Sequence, residues 1–581
     1  MSIFRLFVDK SNEVYLRKRK LNTYKKFKDA DAVLHHYYPK ILMSILKYLD
    51  TPKSLAVFLA IKYYSDISTD DLKKILQLSP RNYFTVHDYQ LDAQAVAVLK
   101  KTEMFDLRYD TDDHLTYYLK SEALARAQRE QVALNLFSFE TRTLINDARG
   151  IVHSILGKAT CELDETRFGP GATYALKGNN THVIAKLEHV PECTPLAHNY
   201  VYRSMIHRPL HVKSYNSGDF DLPIKPLPIV PGDRLSLVKK DIFKPRVMCP
   251  QPTGNMLIQL DIAEKLEHRF YRYSGIKLSE QDSIHGQLMH DAWDLFGTID
   301  LSDASDSISL AFLELVFPPD WYNLIRDVTT RQTYVDGKWY PNAKAFPQGC
   351  GLTFIVETIL FYALSCASVR AQGCEHDYRK VVSVYGDDII VPINSHNGVV
   401  KFLTDCGFAV NKSKSFGPLD TFKESCGVDT ITGINVRPIY FKKYAANQEG
   451  FTLLANSILR VSEFINDERL FDTQLSAAVR IVAEMFAVAG FRTTFVPRQY
   501  SENEGIWSDT GWRTSFRKGR RYLLVNYEYR KRLQIKDRPW STLAAVLLGN
   551  DSEGITVRNT RSHSRTRWTP LNRGSAPMIA V

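Results

Sequence analysis

The sequence predicts an α+β protein, and two observations predict it. The stretch VVSVYGDDIIVPI, residues 381–393, sets two β-branched apolar runs on either side of a Gly386-Asp387 pair suited to a tight antiparallel hairpin. Around this strand-rich centre lie long charge-punctuated segments of helical character, ALARAQREQVALNLFSFETRTLINDARGIVHSIL before it and QLSAAVRIVAEMFAVAGF after it. At 581 residues and 44% hydrophobic, the chain is too long for one ordinary core and predicts several subdomains.

Taken in order, residues 1–160 read as a helical region. It includes a basic run, Arg17, Lys18, Arg19 and Lys20, that suits a solvated helix face or a nucleic-acid contact. Residues 161–255 are rich in Gly and Pro (RFGPGATYAL, DLPIKPLPIVPGDRLSLVKKDIFKPRVMCP) and read as loops and strands. Residues 256–440 mix strands and helices. Within them GLTFIVETILFYALSCASV, residues 351–369, approaches membrane length, but Glu357 interrupts it and no anchoring residues flank it, so a buried core helix is expected and no membrane span. Residues 441–581 begin helical and end in NTRSHSRTRWTPLNRGSAP, whose Arg, Ser and Thr content predicts a flexible basic segment. No internal repeat is present, which excludes a solenoid.

Composition narrows the partners. The 75 Lys and Arg against 64 Asp and Glu give a formal charge of +11, which favours a polyanion, and 30 Tyr with 30 Phe supply faces on which bases stack. Eight cysteines without a C-x-x-C pair or a zinc spacing read as reduced thiols. The first residues lack a secretory signal, so a cytoplasmic location is expected.

The chemistry rests on carboxylates. Asp387 and Asp388 at a hairpin tip would sit ~4 Å apart and repel by roughly 4 kcal/mol at an effective dielectric of ~20, a cost relieved by a shared proton or a cation. Solvent-facing turn carboxylates are the plainer alternative. In GTIDLSDASDSISL, residues 297–310, Asp300 closes a short apolar strand, while Asp303 and Asp306 suit the first turn of a helix. Pairing Asp300 with the hairpin tip brings three carboxylates together, enough to hold two Mg²⁺ ions ~3.5–4 Å apart, the arrangement nucleotidyl transfer needs. Upstream, Lys239, Lys240, Lys244 and Arg246 form either a solvated edge strand or a triphosphate-binding one.

TIDLSDASDSISL with the following PPDW, YGDDII, and FKESCG followed by GINVRPIYF closely resemble the replicase catalytic subunit of the single-stranded RNA bacteriophages, the levivirus group. The resemblance runs from about Arg234 to Tyr440 and more faintly through RFGPGAT and CTPLA. It implies a right-hand polymerase fold: 256–440 the palm, with an antiparallel sheet; 161–255 the fingers; 441–581 the thumb and basic tail; 1–160 a helical region associated with fingers or thumb. It implies an RNA-directed RNA polymerase with two Mg²⁺ ions as cofactors, held by Asp300 (motif A) and Asp387 and Asp388 (motif C). Lys239, Lys240 and Arg246 match the basic strand that meets the triphosphate, and Lys414 matches a motif D lysine that protonates pyrophosphate. Ser305 and Asp306 stand near the ribose position, where reverse transcriptases, the nearest enzymatic rival, generally carry a bulky aromatic. Motif B is altered: PQGCGLTFIVET keeps Gly349, Gly351, Thr353 and Glu357 but has Cys350 for an Asn and Ile355 for a Glu. The implied partners are RNA template and product, NTPs, host elongation factors Tu and Ts and an RNA-binding ribosomal protein, with no membrane, in the cytoplasm of an infected bacterium. A non-catalytic basic RNA-binding protein would explain the charge, but not acidic groups placed where phosphates must be gripped.

Overall fold

The computed structural model describes residues 27–102, 105–159, 168–169, 171–216, 223–373, 377–442, 444–465, 475–508, 512–517, 520–530, 539–547 and 562–570. The basic run Arg17 to Lys20 lies outside them, as do Arg167 and Pro170 of RFGPGAT.

Side-chain caps start the N-terminal helices. Asp29, Thr51, Ser68 and Thr85 each accept a backbone N–H at the head of helices Ala30–Leu49, Pro52–Lys62, Thr69–Leu76 and Val86–Lys100. Their apolar faces do not close on one another alone. Val33, Leu34, Ile41 and Ile45 share a core with Phe451, Leu454, Ile458 and Phe486, from helices Gln448–Ile465 and Leu475–Ala489 near the other end of the chain.

A second core fills the centre around helix Thr353–Ala371, which is apolar on every side and buried from Ile355 to Val369. It is the one described helix long and apolar enough to cross a membrane, and 83% of its apolar window is buried inside the protein. Helices Phe139–Leu156 and Thr253–Ser274 contribute to the same core. Eight short strands frame it: β1 (Asp233–Arg234), β2 (Ser236–Lys239), β3 (Pro245–Met248), β4 (Phe296–Ile299), β5 (Gln332–Val335), β6 (Lys338–Pro341), β7 (Ser383–Tyr385) and β8 (Asp388–Pro392). They form an antiparallel sheet β4-β8-β7, an antiparallel pair β2-β3, and a sheet β1-β5-β6. A further hairpin, β9 (Phe422–Ser425) with β10 (Val428–Ile431), lies beside β4 and β8. The α+β class predicted from sequence is the class observed.

Two sequence readings are corrected. The loop and strand region 161–255 also contains three short helices, Val183–Glu188, His198–Ile206 and Pro209–Tyr215. Each is too brief to display a helical period, and Pro209 starts its helix at the first position, where its missing N–H costs nothing. The tail read as flexible contains a strand, Ser562–Pro570, paired antiparallel along its whole length with Arg520–Arg530. Its composition is that of a disordered segment, but the Thr and Trp residues within it favour a ladder when a long partner strand is present. Among the described residues all six cysteines, Cys193, Cys249, Cys350, Cys366, Cys406 and Cys426, are free thiols.

Candidate active site

The YGDD segment folds as a two-residue hairpin. Tyr385 pairs with Asp388, leaving Gly386 and Asp387 as the turn. Gly386 sits at φ +63°, and a Cβ there would meet the Phe354 ring at 3.0 Å. Its N–H donates to the Thr358 hydroxyl at 3.0 Å, so the core helix holds the turn from behind. β4 runs antiparallel to β8 with Ile299 opposite Ile389, and continuing that register by one residue sets Asp300 opposite Asp388. The three predicted carboxylates therefore lie at one end of a single sheet.

Their charges are poorly compensated. Burial raises the Asp387 carboxyl above its ordinary range. Burial and the neighbouring charges of Asp387 and Asp300 push Asp388 up to about 7. Burial raises Asp300 too, against the pull of Lys414 and a hydrogen bond donated by Asn411 Nδ2 to Asp300 Oδ2 at 2.8 Å. Lys414 Nζ stands 3.8 Å from Asp300 Oδ1 and 3.1 Å from Glu424 Oε1. Partial burial works against its charge, yet these two carboxylates hold its pKa above the usual lysine value.

The basic segment is a hairpin with Lys239 on β2, Lys240 and Lys244 in the connecting turn, and Arg246 on β3 opposite Val238. Partial enclosure and repulsion from Lys244 and Arg246 lower the Lys240 pKa, while Asp303 draws it back. Lys240 and Arg246 are near enough to Asp387 to stabilise its charge. Among the described residues neither makes an ion pair, and Arg246 is exposed.

Helix Ala304–Ser307 buries Ser305 and Asp306. The helix-start reading of the acidic pair holds in position, with Asp303 at the N-cap and Asp306 in the first turn, but not in role: Asp303 takes the left-handed conformation at φ +50° and makes no capping hydrogen bond. Asp306 Oδ1 instead accepts from Lys344 Nζ at 2.9 Å, and burial raises its carboxyl against that pull. In motif B, Gly349 has φ +114°, and a Cβ there would meet the Cys249 carbonyl oxygen at 2.9 Å. Gly351 packs on Gln259, Leu260 and Met256, and the Thr353 hydroxyl donates to Cys350 O at 3.1 Å. The near neighbours of these glycines are thus protein atoms, which tie the end of β3 to the start of the core helix.

A family model described as RNA replicase, beta-chain, matches residues 85–522. The chain belongs to that family. The RNA-directed RNA polymerase subunit beta of Escherichia virus Qbeta is 30% identical over 403 residues, covering 66% of this chain and 64% of that one. The subunit of the same description from Qbeta virus (strain MX1) is 29% identical over 332 residues, 55% of this chain and 52% of that one. The chain thus spans between about half and just under two thirds of the length of these relatives. A solved insertion-loop deletion mutant of the RNA-dependent RNA polymerase of a human picorbirnavirus overlays 44% of this chain and 58% of its own, at 12% identity and a TM-score of 0.32, too slight an overlap to carry an argument.

Membership of this replicase family implies use of a divalent cation, and the donor set fits one: hard carboxylate oxygens, partly desolvated, with unbalanced negative charge. Among the described residues no three His, Cys, Asp or Glu side chains close on a single point.

Several residues of the candidate site were not singled out from sequence. Asn411 and Glu424 lie within or beside segments that were, NKSKSF and FKESCG, and their polar character was the available signal. Glu357, retained from motif B, was noted without a role; its carboxyl is pushed well above the ordinary range by burial, then by Asp387 and Asp306. Lys344 and Glu122 gave no local signal at all.

Proposed function

We propose that the chain is an RNA-directed RNA polymerase that replicates a positive-strand RNA phage genome, adding nucleotides from NTPs to an RNA 3′ end and releasing pyrophosphate. The observation that carries this reading is the sheet register, which puts Asp300 opposite Asp388 and beside Asp387, with Lys240 and Arg246 near Asp387. Asp300, Asp387 and Asp388 would hold two Mg²⁺ ions, which supply charge neutralisation and acidify the attacking 3′-hydroxyl. Lys239, Lys240 and Arg246 bind the triphosphate, Arg246 through a planar fork suited to two phosphate oxygens. Lys414, kept charged by Glu424 and Asp300, is positioned to give a proton to departing pyrophosphate. Asp306, beside Ser305, reads the ribose 2′-hydroxyl. Gly349, Gly351 and Thr353 fix the backbone between β3 and the core helix, against which nucleotide and template are held.

In this reading the architecture is a right hand, with palm at 256–440, fingers at 161–255, thumb at 441–581, and 1–160 associated with fingers or thumb; family membership supports it. RNA template and NTPs are the substrates. Host elongation factors Tu and Ts and an RNA-binding ribosomal protein are the partners, inside an infected bacterial cell. Extension on an RNA template with Mg²⁺ tests the reading. Incorporation of NTPs in preference to dNTPs, lost in Asp388→Asn, is expected; preference for dNTPs makes the protein a reverse transcriptase, and RNA binding without synthesis makes it a non-catalytic binder.

A further inference from the structure

Helix His114–Ala133, far from every signature segment in sequence, turns one face onto the back of the candidate site. The Tyr118 hydroxyl donates to Pro341 O at 2.9 Å. Glu122 Oε2 accepts the backbone N–H groups of Ala343 and Lys344, and Gln128 Oε1 accepts both the N–H and the hydroxyl of Ser309. Between them lies Lys344, whose side chain is 0% exposed. Its ammonium donates to Ser121 Oγ at 2.8 Å and to Asp306 Oδ1 at 2.9 Å, and stands 3.5 Å from Glu122 Oε1.

A buried ammonium is a costly way to fill such a space. Replacing a whole buried ion pair by apolar side chains of similar volume commonly stabilises a fold as well or better, so stability alone gives little reason for the Lys344–Asp306 pair. Its geometry gives a better one. Two hydrogen bonds and the charge of Glu122 beside them hold Nζ and, through it, one oxygen of Asp306. The Asp306 side chain retains 7% of its surface exposed, so one edge of the carboxylate is left toward solvent.

Resting on the polymerase reading above, we propose that Lys344 is a positioning residue for ribose selection: anchored by Ser121 and Glu122, it holds Asp306 ionised and oriented to accept a hydrogen bond from the 2′-hydroxyl of the incoming NTP. The helix at 114–133 thereby becomes part of the discrimination between NTP and dNTP. Without the ammonium, Asp306 loses the hydrogen bond that orients it and the charge that holds it ionised. A site built to pair with a substrate hydroxyl rejects the analogue that lacks it strongly, and loses that power when its own group is misplaced.

The test is the ratio of kcat/KM for a ribonucleotide to that for its deoxy counterpart on a homopolymer RNA template. Lys344→Met is expected to lower the ratio tenfold or more, by weakening use of NTP while leaving dNTP use nearly unchanged, and Lys344→Arg to restore part of it. Tyr118→Phe removes a hydrogen bond from the same helix face without touching Asp306, so it should lower thermal stability and leave the ratio within twofold. A folded Lys344→Met with an unchanged ratio overturns the proposal, as does an equal fall in Tyr118→Phe. If Lys344→Met does not fold, the double variant Glu122→Gln, Lys344→Met removes the facing carboxylate as well and should show the same fall; an unchanged ratio there overturns the proposal. A wild-type chain that makes no RNA from NTPs overturns the polymerase reading itself, whereas an active wild type with unaltered variant ratios overturns only the role of Lys344.

Discussion

At the hairpin tip, Asp300 has Lys414 for a neighbour, which Glu424 also claims, and Asp387 feels Lys414, Lys240 and Arg246 without an ion pair among the described residues. In a second cluster, Asp306 and Glu122 flank Lys344, whose side chain is fully buried while Asp306 keeps a small exposed surface. Both clusters are built of carboxylates in partly or wholly desolvated surroundings, yet one is left short of positive charge and the other carries its cation within it. Excess negative charge at an accessible tip invites an ion or a cationic strand from outside. A buried cluster closer to balance, two carboxylates around one ammonium, instead fixes geometry. The same residue types therefore serve substrate chemistry in one place and alignment in the other.

The largest expected effect separates them on activity. Asp387→Asn or Asp388→Asn should reduce nucleotide addition at least ~1000-fold, since a bound metal contributes several kcal/mol to such reactions, while RNA affinity stays near wild type. Residual synthesis within tenfold of wild type at saturating Mg²⁺ would break the assignment of the tip. Stability should sort the clusters the opposite way. Lys344→Met leaves uncompensated buried charge and should cost about 3–5 kcal/mol in denaturant unfolding, whereas Asp388→Asn in metal-free protein relieves repulsion and should cost nothing. Equal losses from the two would erase the distinction.

A smaller effect concerns the cations that face the tip from outside. Arg246→Lys keeps the charge but loses the fork, and should lower the maximal rate roughly tenfold, the scale of one charge-assisted hydrogen bond, with a lesser change in nucleotide KM. Wild-type values for Arg246→Lys and Arg246→Ala would remove the basic hairpin from the site. The smallest effect is a pH slope inside the protein. Asp233, buried near Lys344, accepts from Gln251 Nε2 at 2.9 Å and from Thr330, and burial pushes it up to about 6. A carboxyl raised on folding contributes stability that is present at low pH and is lost as pH rises through its folded value. The stability of wild type relative to Asp233→Asn should therefore fall between pH ~4 and ~6 and level off above. A difference that stays flat across that window would place the Asp233 charge outside the linkage.

The tip was legible because its causes are local. A β-branched run, a Gly-Asp turn and a strand-ending Asp each state their geometry within a few residues, and the structure has the hairpin and the third strand beside it. The Lys344 cluster was not, because Glu122 and Lys344 meet only after the chain has folded across more than two hundred residues, and neither segment carries an unusual pattern. The three helices between 183 and 215 escaped for a different reason: short elements set by capping and packing leave no period to read. The strand Ser562–Pro570 escaped because composition describes a segment in isolation, and this one acquires its structure from a partner.

The core shared by the two ends of the chain bears on how the protein is made. Helices up to Lys100 leave the ribosome with Val33, Leu34, Ile41 and Ile45 still lacking the helices from Gln448 onward that cover them. About 350 residues separate the two groups, so at ~5–20 residues per second the early helices wait on the order of 20–70 s for their partners. Through that interval the nascent chain exposes an apolar surface to whatever binds such surfaces in the host. The central core, built from residues within 137–408 apart from Ala544 and Ala545, can begin to assemble while the terminal one is still open. Synthesis through Ile506, rather than completion of the central segments, is then what lets the terminal core close.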